Sequence, residues 1–110
     1  MAAAAAAAAA RGGSAATLIR GARSFGALLA ERGLRATPSP AEPGPGNGPF
    51  FSGGYIVRRH AAEPATTKVD GVQIECPRPG VRDTPENRGR FARAAADALL
   101  VFLHEQYAWR

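Results

Sequence analysis

The chain has 110 residues, a net charge of +5 and one cysteine. That length allows one small domain at most, and the lone Cys76 excludes an internal disulfide and argues against a stapled secreted scaffold. No apolar stretch approaches the ~20 residues that cross a bilayer: the most apolar segment, Ala92 to Leu103, is broken by Arg93 and Asp97, so a soluble cytoplasmic chain is expected, with mitochondrial or plastid location as the alternative.

Positions 2 to 10 are an unbroken alanine run. With Arg11, Ser14, Arg20 and Arg23 it has the acid-poor, arginine-containing composition of a transit peptide. The run also reads as low-complexity sequence, helical by propensity and with nothing to pack. Ser24 can cap a short helix over Phe25 to Arg32, with Phe25, Leu28, Leu29 and Arg32 on one face, and Gly33 supplies a left-handed stop. Such punctuation belongs to a folded unit. The division expected is a low-complexity start over 1–16 and one α/β unit over 17–110, with a Pro/Gly-rich loop over 36–52.

In that loop Pro38, Pro40, Pro43, Pro45 and Pro49 cannot donate to a ladder, and Gly44, Gly46 and Gly48 loosen what remains. Tyr55 to Arg59 reads as a short strand after Gly53-Gly54. Val69 to Cys76 alternates, with Asp70, Val72, Ile74 and Cys76 on one side and Val69, Gly71, Gln73 and Glu75 on the other, and reads as a second strand that stops at Pro77 and Pro79. Thr84 then caps a long helix with Pro85 in its first turn, running to about His104 or Tyr107. Phe91, Ala95, Ala98, Phe102 and Gln106 recur at helical spacing, with Leu99 and Leu103 widening the face. Helix, long loop, strand, strand, helix suits the edge of an α/β sheet.

The chemistry-bearing residues are few. After Arg11, Arg20, Arg23, Arg32 and Arg35, nine basic residues nearly balance eight acidic ones from Ala36 onward. Arg58-Arg59 beside Tyr55 is the one pairing of cations with a stacking ring, too little for nucleic-acid binding. His60 and His104 have no metal-ligand spacing between them, so no metal site is expected within the chain; dipole-favoured placement explains a histidine late in a helix. Ser52 lacks a nucleophile elbow, and Cys76 at a strand end reads as a small core residue. Glu75 stands out, because its apolar neighbours suggest burial, and a buried carboxylate suits proton transfer. A salt bridge to Arg58, Arg59, Arg78 or Arg82 is the plainer role.

Several pieces recur together in one family: Leu18-Ile19-Arg20-Gly21 with Ser24-Phe25-Gly26-Ala27-Leu28-Leu29, then Pro38-Ser39-Pro40, then Pro49-Phe50-Phe51-Ser52-Gly53-Gly54-Tyr55 with Arg58-Arg59-His60, and Asp70-Gly71-Val72-Gln73-Ile74-Glu75 with Pro77-Arg78. In order and spacing this stretch, Thr17 to Trp109, resembles the C-terminal region of the N-formylglutamate amidohydrolase-like family. The resemblance implies a zinc-dependent hydrolase of amide or formamide bonds with an exopeptidase-like α/β fold. It makes Glu75 the catalytic carboxylate, gives Gly53 and Gly54 the role of letting backbone approach substrate, and offers Arg58, Arg59 or His60 to a carboxylate-bearing amide substrate. The family's metal-binding histidines and glutamate precede this region, and alanines stand there instead. The expectation is a truncated half-domain, inactive alone. A small non-catalytic protein, whose C-terminal helix binds a partner through Phe91, Leu99 and Phe102, is the alternative.

Overall fold

The computed structural model describes residues 15–49, 54–61 and 70–110. Among the described residues four α-helices form: α1 (Ala15–Arg20), α2 (Phe25–Glu31), α3 (Tyr55–Ala61) and α4 (Pro85–Tyr107). A wide turn over Arg78–Arg82 leads into α4, with Gly80 at φ 75°.

The α/β expectation is overturned: the described residues form no strand and no sheet. Tyr55 to Arg59 lies in α3, where the Arg58 N–H donates to the Gly54 carbonyl at 3.1 Å. A short apolar run has no periodicity that separates strand from helix, and a strand needs a neighbour for its backbone groups, whereas a helix satisfies its own. The described part of the other expected strand, 70–76, has no ladder, for the same want of a neighbour.

The two capped helices form as their sequences predict. Ser24 Oγ accepts the Ala27 N–H at 3.2 Å, and the end of α2 closes with Gly33 N–H on the Ala30 carbonyl and Leu34 N–H on the Leu29 carbonyl, both at 3.0 Å. Gly33 sits at φ 79°. This pair of bonds, with Leu29 and Leu34 both buried, is the Schellman closure that a left-handed glycine permits. On α4 Thr84 Oγ1 accepts the Asn87 N–H at 3.1 Å, and Pro85 follows it. Ala108, at φ 52°, ends the helix with the Trp109 N–H on the Leu103 carbonyl.

The core lies where α2 packs against α4, with α1 packed against α2. Leu18, Leu28, Leu29, Leu34, Ala94, Ala98 and Phe102 are buried together. Phe102 meets Phe25 edge to face at 5.9 Å and Tyr107 at 6.1 Å, an arrangement that adds to the area term. The buried face of α4 therefore runs through Ala94, Ala98 and Phe102, with Phe91 and Ala95 partly covered; Leu99 and Leu100 are 45% and 50% exposed. The expected face was right at Ala98 and Phe102 and rotated too far at Leu99. Ser39 is the other buried hydroxyl, and its Oγ accepts the Glu42 N–H at 3.1 Å. Among the described residues, no helix is long and apolar enough to cross a membrane.

Candidate functional site

Two segments that carry site residues come together. A Cβ added to Gly54 would lie 2.5 Å from Gln73 Oε1, so the glycine leaves room for that side chain. Gln73 Nε2 in turn donates to Glu75 Oε1. One turn along α3, a Cβ on Gly71 would lie 2.8 Å from that of Ala61 and 3.9 Å from the Val57 methyls. Helix α3 thus lies along the 71–75 segment, and Gly54, Gln73 and Glu75 form one row.

Glu75 differs from expectation in its environment. It is exposed, and its carboxylate takes its hydrogen bond from Gln73 instead of an arginine. Alternation in 72–76 suggested burial because it presumed a sheet above and below; without one, the segment lies at the surface. Arg58, Arg59 and His60 occupy the last turn of α3, all exposed, a position where the helix dipole favours cations. None of them pairs with Glu75 among the described residues. Gly53 and Ser52 lie outside the described residues.

Glu75 also lines a cavity of ≈590 Å³ that reaches Leu18, Leu29, Val72, Ile74 and Phe91. Arg90 and Arg35 line it as well. Arg35 is taken by Glu42, whose carboxyl is held below its ordinary value first by that arginine and then by the Thr37 hydroxyl. Arg90 projects from α4, and its Nη2 donates to the Gly80 carbonyl at 2.7 Å. The turn that receives it is braced by Asp83, which accepts the Gly80 N–H at 2.9 Å and the Asn87 amide at 2.7 Å. These bonds, the backbone one first, hold the Asp83 carboxyl below its usual range. Neither Arg90 nor the cavity was foreseen, since the lining is drawn from segments far apart in the chain.

His104 is in the last turn of α4, its Nδ1 3.1 Å from the Trp109 carbonyl oxygen. Cys76 is half-buried, and its carbonyl accepts from Arg82 Nε at 2.8 Å. Among the described residues, no three of histidine, cysteine, aspartate and glutamate gather as a metal ion would require. Among the described residues, the donor set therefore does not fit the zinc that the family resemblance implies. Comparison of the chain with protein-family models, with curated proteins and with solved structures found no match.

Proposed function

We propose that the chain supplies the glutamate-bearing closing region of an N-formylglutamate amidohydrolase-like hydrolase of amide or formamide bonds, and that it has no such activity by itself. The order and spacing of the shared motif pieces support the reading. The structural observation that supports it is the packing of Gly54 beside the Gln73–Glu75 row, two segments to which the resemblance gives site residues.

In this reading Glu75 takes a proton from the attacking water as the water oxygen bonds to the carbonyl carbon. It returns that proton to the nitrogen as the carbon–nitrogen bond breaks. Gln73 donates to Oε1, which orients the carboxylate and leaves Oε2 for the transfer. Gly54 would let backbone approach the substrate, and Arg58, Arg59 or His60 would hold the carboxylate of a small amide substrate. No step is assigned to zinc, because the described residues do not hold it.

The test is to capture the endogenous protein with an antibody to its Trp109–Arg110 end. A species heavier than the 11.4 kDa of this chain should hydrolyse N-formyl-L-glutamate, and Glu75→Gln should lower the rate by ~10²–10⁴-fold, the range for a lost general acid–base. Capture of no species heavier than this chain, with no hydrolysis of that substrate, would sink the reading.

That outcome would favour a second one, a small non-catalytic protein whose C-terminal helix docks on a partner. Its supporting observation is the pair Leu99 and Leu100, adjacent on α4 and half exposed. Phe102 cannot serve there, since the core covers it.

A further inference from the structure

The cavity beside Glu75 has the size and make-up of a small-molecule site. Its volume, ≈590 Å³, falls inside the range of such sites, which combine mostly apolar walls with a few placed polar groups. Val72 and Ile74 line it yet remain 63% and 48% exposed, so the fold leaves apolar surface there uncovered. Two cations line it, and one of them, Arg35, is already paired with Glu42. Arg90 is pinned by its bond to the Gly80 carbonyl, and no carboxylate among the described residues pairs with it. A guanidinium carries five N–H donors and matches a carboxylate in a two-pronged fork; one donor is used by Gly80.

We propose that this cavity binds a small amphipathic acid, its apolar body against Val72, Ile74 and Phe91 and its carboxylate on Arg90. Apolar burial supplies the attraction, and a fixed guanidinium at the wall selects the charged end. Glu75, a carboxylate of the lining, takes the Gln73 amide. The site stands apart from the hydrolase reading, because it requires no chemistry at Glu75.

Octanoate is the probe and 1-octanol the uncharged control, each titrated into the isotope-labelled chain below the concentration at which octanoate forms micelles. The expected result is saturable shifts at the Val72 and Ile74 methyls and the Phe91 ring, with octanoate at least tenfold tighter than octanol. Arg90→Gln should abolish that preference while octanol still binds. Unsaturable shifts, or equal affinity for acid and alcohol in the unaltered chain, would overturn the proposal. The second comparison needs no variant, so it decides the matter even if Arg90→Gln fails to fold by circular dichroism.

Discussion

Arg23 and Glu105 stand 82 positions apart and meet as a two-pronged pair, with Nε 2.9 Å from Oε2 and Nη2 2.5 Å from Oε1. Arg23 lies between α1 and α2, and Glu105 in the last turns of α4, so the pair ties the two ends of the described core. Glu31 lies 3.5 Å from the same guanidinium. The Arg23 hydrogen bonds are the main reason the Glu105 carboxyl is held below its ordinary value. A depressed carboxyl contributes stability above its unfolded value, and that contribution fades as pH falls through the folded one. The stability gap between the native chain and Glu105→Gln should therefore be widest near pH 7 and close toward pH 3. Urea midpoints across that range measure it, and a gap independent of pH would mean the pair does not persist in solution. Added salt should shrink the gap, because the pair is at the surface.

Phe102 anchors the contact between α2 and α4. At 5% exposure and in edge contact with two rings, its truncation to alanine should cost about 3–5 kcal/mol. A core this small has little more than that in reserve, so Phe102→Ala should lose its cooperative melt. Leu99→Ala, on the exposed side, should stay within about 0.5 kcal/mol of the parent. Comparable losses at both positions would mean that the buried face of α4 is not the one through Ala94, Ala98 and Phe102.

Local rules made α2 and α4 legible, missed α1, and gave strands where the chain has α3 and an irregular segment. Ser24 and Gly33 around α2, and Thr84 with Pro85 before α4, act through bonds within a few residues of themselves, so they can be read one segment at a time. Tyr55 to Arg59 and Val69 to Cys76 required a neighbour to become strands, and a pattern cannot state whether that neighbour exists. The exposure of Glu75 follows from the same missing layer. Arg90 went unread because its significance comes from the Gly80 carbonyl and from Val72 and Ile74, which share no spacing rule with it.

Gly26 and Gly33 lie seven positions apart and resist substitution for different reasons. A Cβ on Gly26 would lie 1.9 Å from the Pro38 carbonyl oxygen, a backbone atom that cannot swing aside. Helix α2 and the 37–39 segment touch main chain to main chain there. Gly33 faces open space, and its constraint is φ 79° alone. Gly33→Ala should cost about 1 kcal/mol. Gly26→Ala should cost more, because the loop must move off the helix and uncover Ser39. Denaturation of both variants checks the order, and the reverse ranking would mean that the 37–39 segment does not sit against α2.

Tyr107 donates its hydroxyl to Asp70 Oδ2 at 2.6 Å across 37 positions. Burial is the larger cause, and the Asp70 hydrogen bond and charge the smaller, of a phenol pKa pushed well above its ordinary 10.0. A raised phenol pKa means that the folded chain favours the protonated form. Its contribution is complete below the unfolded value near 10 and is lost as pH rises toward the folded one. The native chain should thus lose stability from about pH 10 upward, as the unfolded state sheds the proton the folded state keeps. Tyr107→Phe should be less stable near neutrality, since the hydroxyl's bond to Asp70 is lost while the ring keeps its contact with Phe102. Above pH 10 the two should converge, because the variant has no phenol at this position to titrate. Paired melts from pH 7 to 11 read this directly. Parallel curves over that range would show that Tyr107 is not held against Asp70, and with it that the 70–76 segment carrying Glu75 is not fastened to the end of α4.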